Sequence, residues 1–210
     1  FNTITFFDLQ VNHAGEFVLS GEFFGAATFG NSQQTTSLTS YYIAKFSGPN
    51  DLDYIVRSTA GSVSLAGTDM TSNGEVTFAG TFSSSLTMGG ITLSNNNFTV
   101  NWFCGRIDNS GSLVAFKTLP ILGFTFRDIS SGEDGNTFVT GSFSDSVSVN
   151  GTTQLSNGSS DVVVMKLDSI MDPIWFQTGG GGSTDQGLSV DVLSSGNAIV
   201  LGAYRGLAQF

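Results

Sequence analysis

Hydrophobic and polar residues alternate along most of this chain, in short runs separated by glycine, asparagine, aspartate or serine. Alternation of this kind predicts half-buried β-strands, and the polar, glycine-rich interruptions predict tight turns. No stretch combines apolar residues at helical spacing with capping residues, so the pattern predicts essentially no helix. The sequence therefore predicts an all-β fold.

One arrangement of glycines and aromatic residues occurs four times. Each copy has a glycine, a second glycine six residues later, and an aromatic residue two residues after that. The four copies occupy residues 15–23, 74–82, 135–143 and 196–204. Their second glycines are 59, 61 and 61 residues apart, and this regularity indicates internal repeats.

Other features keep the same phase. An aspartate stands upstream in every copy, and in three copies a downstream apolar run contains a basic residue. The aspartates are Asp8, Asp69, Asp128 and Asp191, and the basic residues are Lys45, Arg106 and Lys166. A further apolar run follows a turn, so each complete copy predicts four short strands. Predicted turns include Asn73-Gly74, Asn95-Asn96-Asn97, Asp134-Gly135 and Asn157-Gly158.

Four strands in a unit of about 60 residues, repeated along the chain, predict the blades of a β-propeller. We expect a single repeat region, with copies at approximately 1–59, 60–120 and 121–181 and an incomplete copy at 182–210. Propellers close with about four to eight blades. About three and a half blades thus predict part of a larger propeller, for instance a seven-bladed one. The alternative is that two copies of the chain complete one ring.

The third and fourth copies resemble a known family. Residues 135–143 (GNTFVTGSF), residues 161–168 (DVVVMKLD) and the pattern Trp175…Gly179-Gly180…Asp185 are similar to the bacterial β-propeller repeat family called SBBP. The resemblance extends over nearly the whole chain but is weaker in the first two copies. It implies a propeller fold and a secreted or cell-surface bacterial protein, and it implies no catalytic residues.

Composition excludes several kinds of partner. The net charge is −10, with 7 basic and 17 acidic residues, and no basic cluster offsets it. Such a surface repels nucleic acid and anionic membranes. No apolar run is long enough to cross a bilayer, so we expect no membrane insertion. Cys104 is the one cysteine, which excludes a disulfide within the chain, and its neighbours predict a buried strand.

Few residues suggest chemistry. His13 is the one histidine; it stands at a predicted turn with no nucleophile motif, so we expect an exposed turn residue. The recurring aspartates resemble a glycosidase pair only superficially, because a catalytic pair breaks repeat symmetry. We interpret them as structural residues that cap turns. The basic series is expected to pair with acidic neighbours.

Asp51 and Asp53 form the closest approach to a hard-cation site. Calcium is therefore the one cofactor that the sequence leaves open, although no complete calcium loop is present. The glycine run at 179–182 lacks the lysine and the helix of a phosphate-binding loop, so we expect a turn there.

These observations predict a non-enzymatic structural or adhesive module, located outside the cell or on its surface. Its partners would be other domains or blades of the same polypeptide or assembly. An alternative is a carbohydrate-binding propeller in which exposed aromatic residues of loops, such as Tyr41, Tyr42 or Trp102, stack on sugars. A propeller hydrolase or lyase ranks last, because only His13, Asp51 and Asp53 break the repeat symmetry with polar groups.

Overall fold

A computed structural model describes residues 1–60, 63–94, 100–119 and 121–209. These residues form antiparallel β-strands joined by turns, and none of them is helical. The predicted all-β class is therefore confirmed. The chain forms two compact units, Phe1–Thr118 and Leu119–Phe210. The turn predicted at Asn95-Asn96-Asn97 lies outside the described residues.

The first unit contains two sheets. In one of them, the first four strands of the chain lie side by side in chain order. Its strands are β1 (Thr3–Val11), β2 (Phe17–Phe29), β3 (Ser32–Gly48), β4 (Asp51–Ala60), β5 (Val63–Met70), β6 (Val76–Phe82), β7 (Ser85–Met88), β8 (Ile91–Ser94), β9 (Asn101–Ile107) and β10 (Leu113–Leu119). Strands β1, β2, β3 and β4 lie side by side in the first sheet, which β7 and β8 extend beyond β4, and β5, β6, β9 and β10 form the second. Neighbouring strands are antiparallel, and β5 packs against β1.

The second unit repeats this plan. Its strands are β11 (Leu122–Ser131), β12 (Thr137–Val149), β13 (Thr152–Leu155), β14 (Asp161–Leu167), β15 (Pro173–Gly181), β16 (Gln186–Val192), β17 (Ala198–Ala203) and β18 (Ala208–Gln209). Strands β11, β12, β14, β15 and β18 lie in that order in the third sheet, where β13 also pairs with β12, and β16 pairs with β17 in a fourth, two-stranded sheet. Strand β16 packs against β11 and β12.

Each of the first three copies has an additional hairpin between its second and third strands, which the sequence analysis did not predict. In the first copy the hairpin is formed by the extended ends of β2 and β3, in the second by β7 and β8, and in the third by the extended end of β12 with β13. The tips begin at Gly30, Gly89 and Asn150, nine residues after the second glycine of each copy. Their φ angles of 56°, 55° and 49° are left-handed, as tight hairpins require.

The two repeated glycines of each copy are required for different structural reasons. The first glycine of each copy has a left-handed φ of 79–83° in the turn between the first two strands, which glycine adopts without strain. The second lies where β-strands approach closely. A Cβ on Gly80 would overlap the carbonyl oxygen of Ser64 on β5 and the ring of Phe103 on β9. Gly21 and Gly141 lie equally close to the first strands of their own sheets.

One core cluster of the first unit lies between its two sheets, and a second, which includes Phe23 and Tyr42, lies on the other face of the first sheet. One face of the first sheet contributes Val18, Ile43 and Val56, which join an aromatic cluster of the second sheet. In that cluster the ring centroids of Phe103 and Phe116 are 5.7 Å apart. Aromatic contacts of this kind add to the stabilisation from apolar burial. Packing between sheets therefore stabilises the unit beyond the strand pairing within each sheet.

Candidate interaction surface

Two of the four recurring aspartates, Asp8 and Asp128, connect one sheet to the next. Asp8 lies just after a bulge in β1, and its Oδ1 accepts a hydrogen bond from the Leu9 N–H at 2.8 Å. Its Oδ2 accepts bonds from the Thr68 hydroxyl at 2.7 Å and the Thr68 N–H at 3.2 Å. Thr68 belongs to β5, so one carboxylate joins the first strands of two successive sheets.

Asp128 makes the same connection in the second unit. Its Oδ1 accepts from the Ile129 N–H at 2.9 Å. Its Oδ2 accepts from the Ser189 hydroxyl at 2.6 Å and the Val190 N–H at 2.9 Å on β16. The prediction that the recurring aspartates cap turns is therefore wrong for Asp8 and Asp128, whose carboxylates accept bonds from two successive sheets. They lie within first strands, and we call each such connection an aspartate latch.

Other residues cap the turns. The Asn12 side-chain oxygen accepts bonds from the N–H groups of Ala14 and Glu16, both at 3.0 Å. Asp108 does the same between β9 and β10, and hydrogen bonds from Ser110 and from the Ser112 N–H lower its pKa. The sequence signal for these caps is an Asn or Asp three residues before a glycine, as in Asn12…Gly15 and Asp108…Gly111.

Two members of the basic series pair with acids, as the sequence predicted. Lys45 is only 2% exposed, and its Nζ lies 3.0 Å from Glu16 Oε1 and 2.5 Å from Asn109 Oδ1. Arg106 pairs with Glu75 at 3.3 Å. Lys166 differs, because its Nζ lies over the Phe138 ring, 5.3 Å from the centroid. The difference has a simple cause: Asn136 stands where the first two copies have Glu16 and Glu75.

The predicted calcium ligands are not arranged as a cluster of acids. Asp53 has its Oδ2 3.5 Å from Lys45 Nζ and accepts a hydrogen bond from the Ser47 hydroxyl at 2.7 Å. Asp51 is exposed at the start of β4. Within the described ranges no three His, Cys, Asp or Glu residues are placed to hold a metal. Calcium at Asp51 and Asp53 stays a prediction, and an ammonium beside Asp53 competes with any cation there.

The remaining predicted positions have clear locations. His13 is exposed in the turn between β1 and β2, and Cys104 is fully buried in β9. The glycine run is not mainly a turn, because Gly179, Gly180 and Gly181 belong to β15. The turn follows them, and the fully buried Asp185 closes it. Its carboxylate accepts bonds from the N–H groups of Gly181 and Arg205 at 2.7 and 2.8 Å.

The aromatic residues proposed for sugar stacking are in strands rather than loops. Tyr42 in β3 is completely buried, which corrects its assignment as an exposed ring, and burial raises its pKa. Tyr41 is half-buried and stacks on Phe7 with centroids 6.2 Å apart. Burial, with a contribution from Glu22, raises its pKa to about 12. Trp102 is half-buried in β9.

An exposed apolar face lies on the first sheet. Ile4, Phe6, Leu9 and Val11 of β1 are all exposed. Their registers with β2 put them on the side opposite Asp8 and the second sheet. The corresponding face of the second sheet carries Phe78 and is covered by the first sheet. We call these four residues the β1 face.

A groove lies beside β17 in the second unit. Its volume is about 580 Å³, and its lining comes from β14, β15 and β17. Val162 and Val164 form one wall, and Val200, Gly202 and Tyr204 lie on the opposite one. The lining is predominantly apolar and contains no charged side chain. An apolar groove beside a strand edge is suited to binding an extended peptide.

No protein-family model matches this chain, and no curated protein matches it either. Among the described residues there is no helix with the length and apolar character needed to cross a membrane.

Proposed function

We propose that this chain is a β-propeller-type repeat region that serves as a non-enzymatic structural or adhesive module outside the cell. The observation that carries the proposal is the β1 face. Four exposed apolar side chains on one strand exceed the scattered apolar residues of an ordinary surface, and contiguous patches of this kind mark interaction sites. The partners would be further blades of the same polypeptide or assembly.

Contacts between successive sheets support the propeller plan. In each unit an aspartate latch joins two first strands, as they would lie around a central axis. Strand β7 also pairs with β4, and β18 pairs with β15. Within each unit, a strand of the later copy thus extends the edge of the preceding sheet. The resemblance to SBBP repeats supports a secreted or cell-surface location in bacteria.

The polar groups support a structural role. Asp8 and Asp128 accept bonds from backbone amides, and Lys45 contacts Glu16. Both oxygens of each latch carboxylate accept bonds from the fold itself, whereas a catalytic carboxylate must be available to a substrate. We therefore propose that the recurring carboxylates stabilise the fold and take no part in chemistry.

A glycan is the second candidate partner, and Trp175 is the residue that favours it. Its indole is partly exposed beside a pocket of about 250 Å³ that Asn150 and Thr152 also line. An exposed aromatic ring next to amide and hydroxyl groups is suited to stacking and hydrogen bonding with a sugar. Trp175→Ala would abolish binding on a glycan array if this candidate holds.

The leading proposal is tested with the double variant Leu9→Lys/Val11→Lys. Sedimentation velocity should show the wild-type chain associating as its concentration rises, and the variant should stay at the 22.0 kDa of one chain. The matched control is Leu38→Lys/Leu155→Lys, which adds the same charge at exposed apolar positions outside the β1 face. This control should associate like the wild type. Turnover of a glycoside, ester or peptide that is lost on substituting one carboxylate would contradict the proposal.

A further inference from the structure

We propose that Lys45 and Asn109 react with each other, assisted by Glu16, to form an amide cross-link between the first two sheets. The new bond joins the side-chain nitrogen of Lys45 to the side-chain carbonyl carbon of Asn109, and ammonia is released. The cross-link goes beyond the proposed function, because it forms within one chain and needs no partner.

The three side chains that this reaction needs meet at one point. Lys45 Nζ lies 2.5 Å from Asn109 Oδ1 and 3.0 Å from Glu16 Oε1. Lys45 and Glu16 belong to the first sheet and the turn before its second strand, whereas Asn109 lies in the turn between β9 and β10 of the second sheet. A Cβ on Gly74 would lie 2.5–3.1 Å from Asn109 Oδ1, Lys45 Nζ and Glu16 Oε2. Glycine at position 74 therefore leaves the space in which these three groups meet.

The surrounding residues hold the amine and the amide in contact. Lys45 is 2% exposed, and Tyr54 lies opposite it on the neighbouring strand. The turn that carries Asn109 is capped by Asp108, and its Gly111 packs on the Tyr54 ring. Reacting groups that are held in a favourable geometry reach effective molarities on the order of 10⁵–10⁸ M. A reaction that is very slow between a free amine and a free amide thus becomes accessible here.

Glu16 is placed to move the protons. Its carboxylate takes one proton from the Lys45 ammonium, and the freed electron pair of Nζ attacks Cγ of Asn109. A second proton passes from Nζ to Nδ2, the Cγ–Nδ2 bond breaks, and ammonia leaves, taking the proton from Glu16 with it as ammonium. Asn109 is exposed, so the leaving group enters solvent directly. Asp53 lies farther from Nζ, at 3.5 Å, and we therefore assign the proton transfer to Glu16.

The complete set of groups occurs once among the copies. The second copy has Arg106 in place of the lysine, and a guanidinium keeps its charge and does not act as a nucleophile. The third copy has Lys166, but Asn136 stands where the first copy has its glutamate. In the turn of the third copy Ser169 replaces Asn109, and serine carries no carboxamide. The combination therefore breaks the repeat symmetry, which is typical of a reactive site rather than of a structural contact that every copy needs.

The bond would stabilise the first unit without any redox chemistry. It connects residues 64 positions apart, and a cross-link of this kind restricts the unfolded chain as a disulfide does. The one cysteine excludes a disulfide within the chain. An amide cross-link is also unaffected by reducing agents.

Mass spectrometry of the folded full chain tests the proposal. After prolonged incubation the intact protein should be lighter than its sequence mass by one molecule of ammonia. Trypsin should no longer cleave after Lys45, and the digest should contain residues 1–57 joined to residues 107–117. A folded, incubated protein with the full sequence mass would overturn the proposal. Ammonia loss without the joined peptides, as from ring closure at Asn73-Gly74, would overturn it as well.

Variants identify the reacting groups. Glu16→Gln keeps the size of the side chain but removes the proton acceptor, so cross-linking should slow at least about 10²-fold. Asn109→Ser introduces the residue of the third copy at an exposed turn position and should abolish the joined peptides even if Glu16→Gln does not fold. Asn157→Ser, at another exposed position, is the matched control and should cross-link like the wild type. Circular dichroism checks that each variant is folded. Cross-linking of folded Glu16→Gln at the wild-type rate would contradict the role of Glu16.

Discussion

At the scale of single residues, the aspartate latch is the feature with the clearest energetic consequence. Each latch carboxylate accepts bonds from its own strand and from the strand of the next sheet, and hydrogen bonds to a charged acceptor are the stronger kind. Removing the acceptor leaves partly buried donors without a partner. The cost of such a change exceeds the net value of an ordinary hydrogen bond.

We expect Asp128→Ala to lower the free energy of unfolding by about 1–3 kcal/mol, because the Val190 N–H and the Ser189 hydroxyl lose their acceptor. Denaturant unfolding of the full chain measures this change. Asp191→Ala is the matched control, since Asp191 is exposed and accepts from its neighbour Val192. It should change stability by no more than about 0.5 kcal/mol. Equal losses in both variants would contradict the latch.

The turn carboxylates predict how stability depends on pH. Hydrogen bonds from Ser110 and Ser112 lower the pKa of Asp108, and bonds from Asn136, with a contribution from Lys166, lower that of Asp134. A folded-state pKa below the ordinary value of 3.8 gives stability that is present above that pH. This stability is lost as the pH falls through and below 3.8. We expect the melting temperature to fall in that range.

The measurement compares thermal unfolding of the wild type with that of Asp108→Asn/Asp134→Asn. The amide keeps an acceptor in the turn but removes the titrating charge. The variant should therefore show a smaller loss of melting temperature between neutral pH and acid. Parallel curves for the two proteins would show that these carboxylates do not contribute.

At the scale of strands, the sequence predicted the repeated four-stranded order well, and the reasons are local. Alternation and the turn glycines, such as Gly74 with its φ of 83°, fix where strands begin and end. The latch was not predictable in the same way. Asp8 and Thr68 lie 60 residues apart, and the bulge before Asp8 shifts the alternation by one residue. The one available signal was that the aspartates recur at the repeat spacing.

The additional hairpins were missed although a signal existed. Gly89-Gly90 and Asn150-Gly151 are two-residue turn sequences, each nine residues after a second glycine. The β1 face and the groove could not be read from the sequence. The pattern at 198–204 is the same as in the buried copies, and exposure depends on which strands lie alongside. The order of residues along a strand therefore shows which face is apolar but not whether another sheet covers that face.

Close strand packing predicts a sharp contrast between two glycines. Gly80→Ala should destabilise the chain by about 3 kcal/mol, because the new methyl group overlaps the Ser64 carbonyl and the Phe103 ring. Gly182→Ala is the control, since a Cβ there meets no atom within 4 Å. It should leave the free energy of unfolding within about 0.5 kcal/mol of the wild type. Similar losses in both would show that backbone freedom, rather than contact, explains the glycine at position 80.

At the scale of the whole chain, apolar faces and net charge act in opposite directions. A charge of −10 keeps copies apart, while the β1 face favours their association. Salt screens repulsion between exposed charges and leaves apolar attraction in place. We expect sedimentation velocity to show more association at high than at low sodium chloride. Leu9→Lys/Val11→Lys should remove most of this response, and an unchanged response would place the attraction elsewhere.

The hairpin of β12 and β13, whose tip is Asn150-Gly151, gives the chain one more property. Strand β13 is exposed along its whole length, and a Cβ on Gly151 meets no atom within 4 Å. Residues inserted at such a tip leave the latch and the core untouched, and surface hairpin tips tolerate insertions well. The duplicated copies can therefore diverge in length at this place while keeping a common frame. The same tip is a suitable position for grafting a foreign epitope or an affinity tag.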